Sequence, residues 1–92
     1  MQEVYGIAAF RSRQQVLLLE SALRREGVQV SVITTPRDIA LGCGLSVRFR
    51  MEDVNAVERA LRAQRPTNLI GVYRAENAGR GRVRLAPIAI YR

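Results

Sequence analysis

The 92-residue chain contains no histidine, no lysine and only one cysteine. Each absence closes off a class of function. Without histidine there is no imidazole to act as a general base, to activate a neighbouring thiol or to supply the commonest nitrogen ligand for zinc. The usual hydrolase arrangements therefore fail, and neither a metal nor a cofactor is expected. A lone cysteine excludes an internal disulfide, both as a structural staple and as a redox couple. No run approaches the roughly 18 apolar residues of a membrane-spanning helix. Met1 to Phe10 also lacks a basic start followed by a cleavable apolar segment, so a cytoplasmic location without a membrane partner is expected.

Charge is one-sided: every one of the 15 basic residues is arginine, set against 8 acidic residues, for a net charge of +7. A basic surface attracts phosphate through counterion release, which makes nucleic acid a candidate partner. Charge of this kind speaks to association and not to a site, and a solvated surface explains it as well. The apolar share of 48% is ordinary for a folded chain, and a chain this short closes a single core.

Periodicity supplies the architecture. Val4 to Phe10 is an apolar run of the kind found in a central strand. Ser12 and Gln15 have capping-box spacing ahead of a helical stripe at Val16, Leu19 and Leu23, and Gly27 ends that helix. Val28, Val30 and Val32 alternate with polar residues, as do Leu45, Val47 and Phe49, predicting two strands with one face on a core. Glu52 and Asp53 begin a second helix with an apolar face at Val54, Val57 and Leu61, supported by a Glu58–Arg62 pair and ending near Gln64. After a turn at Pro66 to Asn68, Leu69 to Tyr73 reads as a short outer strand interrupted by Gly71. The order βαββαβ predicts an α+β, ferredoxin-like sandwich over residues 1–74, with both helices on one sheet face. In residues 75–92, Ala75 to Arg82 reads as a flexible link. Val83 to Tyr91 is apolar enough for an extra C-terminal strand, confined to an edge by Pro87, or for a homodimer contact.

The connection from Thr34 to Gly44 is far longer than the roughly two to five residues of a simple hairpin. It contains Thr35, Pro36, Arg37 and Asp38, and then Cys43 between Gly42 and Gly44. Flanking glycines leave the sulfur unshielded by neighbouring side chains and let another molecule approach. A cation at Arg37 would favour thiolate over thiol if it folded over the sulfur. The opposing reading is a packed thiol, because free cysteine is often buried as a small hydrophobe. A single thiol without a partner base can still attack a sulfur or selenium centre, hold the atom and pass it on.

Thr35-Pro36-Arg37, then Ile39, Cys43-Gly44-Leu45 and Arg48-Phe49, resemble the signature of the selenium/sulfur carrier protein-like family of small bacterial domains. Phe10 before a capped helix, the Gly27-Val28 exit and the Glu52-Asp53 helix start match as well, so the resemblance covers roughly residues 4–74. It implies a carrier, not a stand-alone enzyme. Cys43 would hold sulfur or selenium as a persulfide or selenenyl adduct, with Arg37, Gly42, Gly44, Thr35 and Pro36 as its setting. A cysteine desulfurase is the implied donor and selenophosphate synthetase an implied acceptor. The chain departs from the pattern at Ala40, Leu41 and Gly42, where more polar residues are expected.

Two other readings compete. The RNA-recognition motif shares this strand order, but cysteine and leucine stand where its third strand needs stacking aromatics, and Phe49 is out of register. Nucleic acid is thus a candidate that is not favoured, even with Arg80, Arg82 and Arg84 available to phosphates. An assembly module is the other, since the fold alone decides nothing about function.

Overall fold

The apolar run near the N-terminus forms strand β1 (Val4–Phe10), and the remaining elements are arranged around it. The computed structural model describes residues 4–39, 44–79 and 81–88. After β1 come α1 (Arg13–Arg25), β2 (Val30–Thr34), β3 (Leu45–Phe49), α2 (Val54–Gln64), β4 (Leu69–Gly79) and β5 (Arg82–Pro87). They form a five-stranded sheet in the order β2-β3-β1-β4-β5, antiparallel at every pairing. Two helices pack on this sheet, which gives the expected α+β ferredoxin-like fold extended by one edge strand.

Both helices lie on one face. Val16, Leu19 and Leu23 of α1 and Val57, Ala60 and Leu61 of α2 share a buried cluster with Ala8, Phe10, Val47, Phe49 and Val72. Full burial of each large side chain there stabilises by roughly 1.5–3 kcal/mol relative to exposure. At the start of α1 the Ser12 hydroxyl accepts from the Gln15 amide at 3.3 Å. Gln15 does not complete a reciprocal capping box. Its side chain donates to the Thr67 hydroxyl at 3.2 Å and accepts from the Asn68 amide at 3.0 Å, tying the helix start to the α2–β4 turn.

At the other end of α1, Gly27 has φ +81. The Gly27 amide donates to the Arg24 carbonyl and the Val28 amide to the Leu23 carbonyl, both at 3.0 Å. This paired closure is a Schellman motif. It commits Val28 to the cap, so β2 starts two residues later than the alternation implied. A single 3₁₀ turn, Met51–Asp53, precedes α2, and the Arg62 guanidinium meets Glu58 at 2.7 Å as its spacing predicted.

The largest correction is at the C-terminal end. Ala75 to Gly79 is not a link; it continues β4, with Tyr5 opposite Ala75 and Val4 opposite Glu76. Ala75 is completely buried, a role that small, weakly apolar residues do not announce. Because β5 pairs along it, β4 is an inner strand. Gly79 and Gly81, on either side of residue 80, have φ +84 and +74, values that suit glycine. Pro87 does fall on the edge strand. Among the described residues no helix is long and apolar enough to cross a membrane.

Gly6 allows the close approach of β1 and β3. It pairs with Phe49, and a Cβ placed on it would overlap the Phe49 ring. Gly6→Ala should therefore lower unfolding free energy by about 1–3 kcal/mol through overpacking, with partial recovery in Gly6→Ala/Phe49→Leu. Urea denaturation measures both; a loss below about 0.5 kcal/mol would show that the ring has room to move.

Candidate functional site

Alternation along β1 aims Tyr5, Ile7 and Ala9 at the sheet face opposite the helices. An antiparallel sheet commonly leaves such a face to water, yet Ile7 and Ala9 have no exposure at all and Tyr5 has 8%. With Ala75 they form a second buried cluster, against which Ile33, Ile39, Ile70, Tyr73, Val83 and Leu85 pack. Ile39 belongs to the β2–β3 connection. That loop therefore folds back over the helix-free face.

Its two ends are fastened. The Thr35 amide donates to the Gly44 carbonyl at 2.9 Å, extending the β2–β3 ladder by one step. The Thr35 and Ser46 hydroxyls lie 2.6 Å apart, both buried, with either able to donate. Ser46 sits between Ala9 on β1 and Ile33 on β2. Burial strengthens this bond, since neither hydroxyl can turn to water. A Cβ on Gly44 would stand 3.1 Å from the Thr35 hydroxyl, so the bare backbone of Gly44 suits the contact.

Within the loop, the Ile39 amide donates to the Pro36 carbonyl at 3.0 Å and closes a turn at residues 36–39. Arg37 and Asp38 are the exposed tip of that turn. That backbone bond and the packing of Ile39 hold the turn.

The predicted site residues divide accordingly. Thr35 is buried at the hinge of the loop, Pro36 and Gly44 are half-buried, and Arg37 is exposed. Gly42 and Cys43, together with Ala40 and Leu41, lie outside the described residues, as do residues 89–91 of the candidate dimer contact. Val83 and Leu85 from that contact pack on the protein's own sheet.

Sequence reasoning missed Ser46. It stands in the polar register of β3, and nothing local distinguishes it from Arg48, two residues on. The pairing of the loop with the β4–β5 hairpin was also missed. An open groove of about 750 Å³ runs between them, with Pro36, Arg37 and Asp38 on one wall and Arg82, Val83 and Arg84 on the other.

The Arg48 guanidinium lies 3.9 Å from the centroid of the Tyr5 ring and covers it. Phe49 points to the helices and is 2% exposed. Phe49 thus belongs to the helix-side core.

The architecture thus defines a ferredoxin-like α+β domain whose elongated β2–β3 loop is anchored over the sheet face that the helices leave bare. The chain belongs to the family described as "Putative Se/S carrier protein-like", whose model matches residues 5–74. No curated protein and no solved structure matches the chain.

Removing one member of the buried hydroxyl pair leaves the other unsatisfied. Ser46→Ala and Thr35→Val should each cost about 1–3 kcal/mol, whereas the double variant should cost less than the sum. Denaturant titration of the four proteins gives the coupling energy. Strict additivity would mean that the hydroxyls act independently.

Proposed function

We propose that the protein is a sulfur or selenium carrier that holds the chalcogen atom on Cys43. The observation that carries this reading is the family match over residues 5–74, a span that includes the protein's only cysteine. The anchored loop supports it. A carrier needs its thiol on a segment that another protein can reach yet that is held to a rigid frame, and Thr35, Ile39 and Gly44 supply that attachment on either side of residues 40–43.

In the reaction the Cys43 thiolate attacks the terminal sulfur of a donor persulfide. A new S–S bond forms to Cys43, the donor S–S bond breaks, and its electron pair leaves on the donor cysteine as thiolate. Nothing is oxidised or reduced overall, so no cofactor takes part. Transfer to an acceptor repeats the exchange in the forward direction, and a selenium atom passes by the same displacement. A cysteine desulfurase is a chemically suitable donor and selenophosphate synthetase a suitable acceptor, in a cytoplasmic setting where thiols stay reduced.

Incubation with a cysteine desulfurase and cysteine, followed by intact-protein mass spectrometry, tests the reading. The native chain should gain the mass of one sulfur, and a reductant should remove it; Cys43→Ser should gain nothing. A native chain that takes up no sulfur, with a thiol that resists alkylation until the protein unfolds, would overturn the reading in favour of a packed cysteine.

A further inference from the structure

The groove between the loop and the hairpin carries an excess of positive charge. Arg37 lines it from the loop, and Arg82 and Arg84 line it from β5. Among the described residues neither Arg37 nor Arg82 makes an ion pair. Arg84 approaches Glu76 only at 3.9 Å with its side chain 75% exposed, and Glu76 is shared with Arg74 at 3.7 Å. Among the described residues Asp38 is the one carboxylate on the groove walls. Guanidinium groups present paired donors that match carboxylate geometry.

We propose that this groove docks an acidic, extended segment of the protein that exchanges a chalcogen atom with Cys43. The inference rests on the carrier reading, because a carrier must bring its loop against a second protein. Three features favour an acidic peptide. The volume of about 750 Å³ lies within the roughly 300–1,000 Å³ of sites that receive multi-group ligands, more than a single anion occupies. Pro36 and Val83 line it with aliphatic surface, which suits side chains between acidic residues. Among the described residues no aromatic ring lines it, whereas single-stranded nucleic acid is held by stacking as well as charge.

The location adds to this. One wall is the loop that leads to Cys43, so a segment seated in the groove holds its own protein beside that loop. The other wall, the β4–β5 hairpin beyond Gly79, lies past the residues that the family model matches. Complementary charge at such a place raises the rate of encounter and fixes orientation.

The test uses the full chain and a fluorescein-labelled octaglutamate peptide, with binding read by fluorescence anisotropy at low and high salt. Arg82→Glu/Arg84→Glu should weaken binding by about tenfold or more, and Arg37→Glu, which leaves the hairpin intact, should weaken it in the same direction. Arg25→Glu/Arg59→Glu changes net charge equally at exposed helical positions and should alter binding by less than about twofold. Equal losses in the two double variants would overturn the proposal, since net charge alone would then explain the binding. So would a polyuridine oligonucleotide of matched charge that displaces the peptide and depends on the same arginines. Cys43→Ser should bind octaglutamate as the native chain does. Peptide binding without sulfur loading would therefore leave the groove in place and remove the carrier reading, while loading without groove-dependent binding would do the reverse.

Discussion

β1 is buried on both of its faces. Ile7, Ala8 and Ala9 are successive residues with no exposed surface, so alternation sends apolar side chains to the helix side and to the opposite side in equal measure. Two helices can cover only one of these faces. Every square ångström of apolar surface left wet on the other would forfeit about 25 cal/mol, and a chain this small has no third helix to spend on it. The cover comes from Ile39 of the β2–β3 loop, from Tyr73 and from Val83 and Leu85 of the added hairpin strand.

That demand turns a connection into a structural element. The described part of the loop is fastened by a backbone bond between Thr35 and Gly44, a buried hydroxyl pair and one apolar anchor. Ile39 and Gly44, on either side of residues 40–43, are thus both held to the domain. The same demand explains the hairpin. β5 protects the edge of β4, and its own outer edge carries Arg82, Arg84 and Pro87, residues that discourage pairing with another chain. Meeting over one face, the loop and hairpin leave between them the cationic groove.

Much of the layout was legible in the residues. Apolar spacing predicted both helices and the first three strands, Gly27 marked the end of α1, and the unusual length between β2 and β3 singled out the loop. Periodicity can report these because each depends on interactions within a few residues. The expected link at residues 75–82 failed for the opposite reason. Ala75, Glu76 and Asn77 have weak strand preference of their own, and their conformation comes from pairing with β1 on one side and β5 on the other. Tertiary context commonly overrides propensity of that size.

Cys43 and its glycine neighbours were visible at once, since composition isolates a single thiol, and the membership of the carrier family holds across residues 5–74. Ser46 and the groove arginines were not visible. A polar residue in the outward register of a strand reads as solvated until something folds over it, and no local pattern states that a loop will do so. The amino-acid order alone settled both helices, the first three strands and the isolation of a single thiol, because those follow from short-range spacing and composition. Which face of the sheet is covered, what holds the loop and which arginines stand beside it were settled by folding, since they depend on contacts between segments that lie far apart in the chain.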